Sequence, residues 1–482
     1  MPHPRVRLAP TDADIPDGVL QALRDRFAAV RDELGLTLDY PADALAEAEQ
    51  VASSPPDLPG LDETALPFFT IDPPGSMDLD QAMHLERDGD GHRIRYAIAD
   101  VPAFVQPGGA LDRVTRERGQ TVYCPDVRVP LHPEVLSEAA ASLLPDAVRP
   151  AFVWDLRLDG EGALASAEVH RAMVRSVERL DYATVQAAVD GGTEDDRFRM
   201  LREVGERRIA QEQARGGASL PMPEQQVTAH EGGGFTLEFR PLLPAEEWNA
   251  QVSLLTGMAA ATMMIDAGVG VLRTMPPPTD DAVARFRRAA RGLGVEWPDG
   301  IPYGDLVRGL DRTNHRHLAL IHEATSLFRG AGYTAFDGAA PEQREHGAVA
   351  APYAHVTAPL RRLVDRFGLV LCEAVSQGRD VPDAVRAALP SLSDLMTESD
   401  RRARAAERAC ADATEAAVLQ GREGEEFRAV VVDHTDKGMA VQLVEVPVLA
   451  RVSGERAALG EEITARLESA DVRAGVVAFV RS

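Results

Sequence analysis

The spacing of apolar and polar positions divides the chain into three stretches. Near the N-terminus, Val19, Leu23, Phe27, Val30 and Leu34 recur every three or four residues, which marks one buried helix face. Pro16 stands near the start of this pattern and Gly35 just past its end, where a helix tolerates them. A second short helix is predicted from Asp43 to Val51, and SSPPDLPG, residues 53–60, reads as a linker. Such a helix pair suits either a helix-turn-helix-like module or a packing appendage. From about 61 to 420 the texture is mixed. Apolar runs at Phe68–Ile71, Ile94–Ala99, Val127–Pro130 and Ala151–Leu158 predict strands, and helical periodicity takes over at 245–272, 279–293, 314–330, 359–377 and 397–420. In the last stretch, Phe427–Asp433, Gly438–Val444, Val448–Val452, Ile463–Leu467 and Gly475–Val480 alternate or run apolar between Gly and Asp turns. Five short strands so close together predict a small closed barrel of the oligonucleotide-binding (OB) type. The expected class is α+β, with domains at 1–60, 61–420 and 421–482.

Composition narrows the function. The chain has 482 residues, 45% of them hydrophobic, enough for several cores. A net charge of −25 argues against a protein that coats nucleic acid through its whole surface, but not against a narrow basic channel. Lys437 is the only lysine, so phosphate contacts elsewhere would be made by planar arginine forks. Cys124, Cys372 and Cys410 lack metal-ligand spacing, and an odd, sparse set suits a reducing cytoplasm. The first residues hold no apolar core of a signal peptide. The apolar window Val252–Leu272 carries Asp266 and small residues, so it reads as an interior helix and no membrane span is expected.

The chemistry is concentrated in PFFTIDPPGSMDLDQAM, residues 67–83. A strand ends in Asp72, and a Pro/Gly turn delivers Asp78 and Asp80. Carboxylates this close repel unless a cation stands between them, and hard oxygen ligands favour magnesium (Mg2+). The calcium-loop template fails, because its mid-loop Gly and terminal Glu are missing. An isolated turn of this kind is usually only solvated, so the rest of the chain must carry the argument. Four further segments join it: YAIADVPAFV ending a strand at Asp100; TVYCPDVRVPLHPEVLSEAAASLLPDAVRPAF over 121–152; RLDYATV over 179–185; and HGAVAAPYAHVTAPLRRLVDRFG over 346–368.

Taken in order, these segments resemble the catalytic RNB domain of the ribonuclease II family. The resemblance rests on Thr70, Ile71, Asp72, Asp78 and Asp80; on Ile98, Ala99 and Asp100; on Thr121, Tyr123, Pro125, Pro133, Leu136, Ser137, Ser142 and Leu143; and on Tyr353, His355, Thr357 to Arg362 and Asp365. It spans roughly 60–420, and the C-terminal barrel fits the family's RNA-binding ending. It implies a mixed RNB fold and a cytoplasmic, monomeric, magnesium-dependent exoribonuclease. Such an enzyme would hydrolyse single-stranded RNA from the 3′ end to nucleoside 5′-monophosphates. Asp72, Asp78, Asp80 and Gln81 are the implied metal group, with Asp80, Asp78 and Arg361 catalytic. Arg362, Tyr123, Tyr182 and Glu407 are the implied RNA contacts, and His355 is expected to be structural. Thr357 and Pro359 predict a helix start at which Arg361 and Arg362 would clamp a phosphate. The bland alternative is an Arg361–Asp365 pair at helical spacing.

Two departures stand out. Gln81 replaces the fourth aspartate of the family pattern, and Ser253 and Leu254 stand where a family helix carries acids. A scaffold that grips RNA without cutting it, or a phosphodiesterase acting on a small nucleotide, are the rival readings.

Overall fold

In the computed structural model the run that precedes the acids is the first strand of a closed barrel. The structure describes residues 6–8, 17–192, 195–218, 220, 224–229, 235–240, 242–312, 314–435, 438–444, 446 and 448–482. Strand β1 (Phe68–Ile71) is buried at every position. Strands β2 (Gln81–Asp88), β3 (Gly91–Ala99), β4 (Val148–Leu158) and β5 (Leu164–Leu180) follow as an antiparallel meander. Strand β5 closes the barrel by pairing in parallel with β1, placing Thr70 opposite Arg179 and Ile71 opposite Leu180. The two-residue alternation sorts side chains by size. Tyr96, Ile98, Phe152 and Trp154 share one core; Ala97, Ala99, Ala151 and Val153 share the other.

Helices cover both cores. Helix α1 (Asp17–Glu33) and helix α2 (Ala42–Ser53) form the N-terminal part. Ala44, Ala48 and Val51 of α2 pack on the small-residue core. Helix α3 (Pro244–Ala267) and helix α4 (Leu363–Ser376) bring Trp248, Val252, Leu255, Leu363 and Phe367 to the large-residue core. Helix α3 is shorter than predicted. Gly268 ends it in the left-handed conformation, and Val269–Thr274 is a strand paired with Gly332–Asp337. Helix α5 (Asp383–Leu419) is longer than the predicted 397–420 and runs through Pro390. Leu23, Phe27 and Val30 of α1 pack against Ala406, Cys410 and Ala413 of α5.

The C-terminal segment is a closed barrel, as expected. Its strands are β6 (Glu426–Thr435), β7 (Gly438–Leu443), β8 (Leu449–Ser453), β9 (Glu462–Asp471) and β10 (Val476–Arg481). They pair in the order β6-β7-β8-β10-β9, with β8 and β10 parallel. Phe427, Val441 and Phe479 form its core together with Val418 and Leu419 of α5. Among the described residues no helix is long and apolar enough to cross a membrane.

Candidate active site

The acids hang from the mouth of the first barrel. Asp72 follows β1, and its N–H donates to Leu180 O at 3.1 Å. Ser142 braces the turn between the acids: its Oγ accepts from Leu79 N–H at 2.9 Å and donates to Met77 O at 2.6 Å. Leu143 N–H donates to Leu79 O at 3.0 Å. Ser142 and Leu143, which entered the sequence argument as pattern matches, therefore set the shape of the acid turn. Asp80 directly precedes β2 and is only 5% exposed.

Opposite lies the arginine loop, 357–362. The expected helix start there is displaced: α4 begins at Leu363, with Arg362 extended as its N-cap. Competing partners hold the loop's backbone. Ala358 N–H donates to Asp365 Oδ1 (2.7 Å), Leu360 N–H to Asp80 Oδ1 (2.8 Å) and Thr121 N–H to Arg361 O (2.9 Å). Leu360 O lies 3.1 Å from His132 Nδ1. Burial pulls His132 down to about 3, so the ring is neutral, and Nδ1 is its donor. These bonds occupy groups that one more helical turn would need.

The two arginines diverge. Arg362 gives Nε and Nη2 to Asp365 at 2.9 and 2.7 Å, and that carboxylate is fully buried. Arg361 places Nε 3.4 Å from Asp80 Oδ2, and its side chain remains 36% exposed. Its guanidinium makes no hydrogen bond among the described residues. The paired clamp expected from sequence is thus divided: one fork is tied to the scaffold and the other is open. The bland pairing with Asp365 is real, but it belongs to Arg362.

The electrostatics match a site short of positive charge. Burial, helped by the negative charge of Asp78, pushes Asp80 up to about 8 against the pull of Arg361 and the Leu360 N–H. Burial likewise raises Asp72 to about 7, with Arg361 opposing and Asp78 adding to the rise. Asp78 pairs with Arg128 at 2.6 Å. Tyr123 and Asp72 both lie within electrostatic reach of Arg361. Tyr182 accepts from Asn249 Nδ2 at 3.2 Å, and burial together with the Asp72 charge pushes its phenol up to about 12. Asp72, Asp78, Asp80, Arg361, Tyr123 and Tyr182 therefore converge. Glu407 sits half-buried on α5, three residues before Cys410, which packs in one apolar cluster with Cys124 beside Tyr123. His355 is half-buried beside Tyr333, with 2.8 Å between Nδ1 and the hydroxyl. Gln81 has both amide atoms engaged: Oε1 accepts from Tyr96 at 2.7 Å and Nε2 donates to Thr357 O at 2.6 Å. Sequence reasoning did not single out Arg128 or Tyr96. Each meets its partner across a distance in the chain that no local pattern reports.

Among the described residues no three His, Cys, Asp or Glu side chains form a metal cage. The donors nonetheless fit magnesium, which takes one or two carboxylates and completes its shell with water and substrate phosphate. Buried oxygen donors with raised proton affinity, facing an open arginine, define a site for phosphate-ester chemistry. The comparisons agree with that class. The RNB domain model matches residues 61–374, and the RNase II-type exonuclease C-terminal S1 domain matches 425–482.

The chain belongs to the RNB-domain, ribonuclease II family. It is 27% identical over 416 residues to Ribonuclease R of Vibrio cholerae, covering 80% of this chain and 50% of that protein. To Ribonuclease R of Escherichia coli it is 29% identical over 327 residues, covering 63% and 39%. The chain thus spans half or less of these relatives' length. In fold it resembles the apo form of Mycoplasma genitalium RNase R, with a TM-score of 0.84 at 17% identity over 96% of this chain and 78% of that one. Yeast Ssd1, described as a pseudonuclease, shares the fold with a TM-score of 0.67 at 17% identity over 86% and 53%.

Proposed function

We propose that this chain is a magnesium-dependent exoribonuclease that degrades single-stranded RNA from its 3′ end to nucleoside 5′-monophosphates. The observation that carries the reading is the open guanidinium of Arg361 held 3.4 Å from the buried Asp80. Arg361 supplies donors for a non-bridging phosphate oxygen, and a planar fork fixes that group's orientation. Asp80 Oδ1 is occupied by the Leu360 N–H, so Oδ2 is the atom left to receive a proton from attacking water. Asp72, Asp78 and Asp80 would hold magnesium, which when bound polarises the phosphate and the water and neutralises developing charge. Tyr123, within reach of Arg361, and Tyr182, within reach of Asp72, offer rings on which terminal bases stack. Direction and product are carried over from the family. RNA as substrate is also supported by the likeness in fold to Mycoplasma genitalium RNase R in complex with ribose methylated single-stranded RNA.

One observation favours a second reading, an RNA-binding scaffold that has lost hydrolysis. Gln81 is uncharged where the family pattern has an acid, and its amide is engaged elsewhere. A fold by itself does not decide activity. A 5′-labelled RNA with a 3′ overhang separates the two. A magnesium-dependent ladder shortening from the 3′ end supports the enzyme. Retention of full-length RNA in a tight complex, with magnesium present, would establish the scaffold.

A further inference from the structure

The two departures noted in the sequence meet in space. Gln81 Nε2 lies 2.6 Å from Thr357 O, and Tyr96 Oη lies 2.7 Å from Gln81 Oε1. The hydroxyls of Thr357 and Ser253 are 2.8 Å apart, and Ser253 also lies beside the Tyr96 phenol, so that the four residues form a ring of neighbours. The proton positions follow from elimination. A carbonyl can only accept, so Gln81 presents its N–H to Thr357 O. Its Oε1 can only accept, so Tyr96 donates. Tyr96 thus gives one bond to Gln81, and Gln81 gives one in turn to Thr357. Thr357 takes that bond at its carbonyl and shares a second between its hydroxyl and that of Ser253. In such a connected set each bond polarises the next.

The circuit sits at the root of the arginine loop. Thr357 opens the segment in which Leu360 N–H grips Asp80 and Arg361 faces the same carboxylate. We infer that Gln81, Tyr96, Ser253 and Thr357 form an uncharged ring that positions Arg361 over Asp80, and that Gln81 stands outside the groups that would hold a metal. A carboxylate at either departed position breaks the ring. At 81 it sets an oxygen against the Thr357 carbonyl, and at 253 it sets charge against a buried phenol. The two neutral residues are therefore a matched pair, and Gln81 and Ser253 are positioning residues. The acids left at the site are Asp72, Asp78 and Asp80, a donor set for a single divalent ion.

The kinetic part of the test rests on the proposed hydrolysis; the rest does not. Gln81→Glu keeps length and acceptor but loses the donor. Amide hydrogen exchange across 357–363 in metal-free protein should quicken about 10-fold, the equivalent of one net hydrogen bond. Mn2+ affinity measured by electron paramagnetic resonance should stay within about 2-fold, because no ligand is altered. On RNA, kcat should fall about 10-fold while KM moves less than about 2-fold, since substrate contacts are intact. Unchanged exchange with tighter Mn2+ binding would show Gln81 to be a ligand position and overturn the ring. Should Gln81→Glu not fold, Ser253→Ala opens the same circuit at a smaller side chain; exchange over 357–363 unchanged in that variant also overturns it. If the unsubstituted protein cuts no RNA, the enzyme reading fails, and exchange and Mn2+ binding still decide the ring.

Discussion

Replacing Asp80 by Asn separates charge from shape. The amide Oδ1 can still accept the Leu360 N–H at 2.8 Å, so the arginine loop keeps its anchor. What disappears is the ionisable oxygen 3.4 Å from Arg361 Nε. Loss of a positioned proton acceptor costs about 100- to 10,000-fold in rate. Stability should move the other way. Asp80 is pushed up to about 8 in the folded protein, well above the value of an unfolded carboxyl. The folded state therefore binds this proton more tightly. The resulting stability is full below about pH 4 and is lost as pH rises towards 8. At pH 8 the ionised side chain costs metal-free protein at most about 5 kcal/mol, at about 1.4 kcal/mol per unit. Asn carries no such cost. In EDTA at pH 8, Asp80→Asn should melt no lower than the unsubstituted protein, and magnesium should raise the melting temperature of the latter more. Single-turnover cleavage, RNA affinity and calorimetry give the readouts. Near-normal turnover, or a steep loss of thermal stability in EDTA at pH 8, would refute the assignment.

Four further outcomes are expected. Arg361→Lys should lower kcat/KM by about 10- to 100-fold through loss of the planar fork, with an unchanged denaturation midpoint. Arg362→Ala should behave in the opposite sense. It strands the fully buried Asp365 and should destabilise the fold by about 3 kcal/mol in urea titrations, and a change below about 1 kcal/mol would contradict the structural role. Between pH 4 and 8 metal-free protein should lose stability as Asp72 and Asp80 ionise, and divalent ions should flatten that slope in thermal melts. Gly257→Ala would set a Cβ 2.2 Å from Tyr353 Cε2 and 2.6 Å from Ala354 O, where Ala354 N–H already meets Gly257 O. A loss of about 1–3 kcal/mol in chemical denaturation is expected, and a neutral substitution would show that the helix and loop can part.

Local signals in the chain were legible wherever chemistry and geometry shared a short segment. The run ending in Ile71, the acids that follow it and the C-terminal strands could be read because two-residue alternation and Gly/Asp turns are local properties. The division of labour between Arg361 and Arg362 could not. It depends on Asp80 and Asp365 competing for neighbouring backbone donors, and one of them lies 280 residues away in the chain. The same holds for Arg128 on Asp78 and for the ring through Gln81 and Ser253. Helix α5 extends well N-terminal to the predicted 397–420 and runs through Pro390, a residue that local rules place outside helix interiors.

That helix has a mechanical consequence. Thirty-seven residues make a rod about 55 Å long. Along it are seated the catalytic core towards its start, α1 in its C-terminal half and the terminal barrel at its end. None of the three can be peeled off without baring an oily flank of the same rod, so heating should produce a single calorimetric endotherm despite the chain's size. Resolved endotherms would mean that the rod snaps, and that the grip on an RNA strand is assembled from parts able to slide.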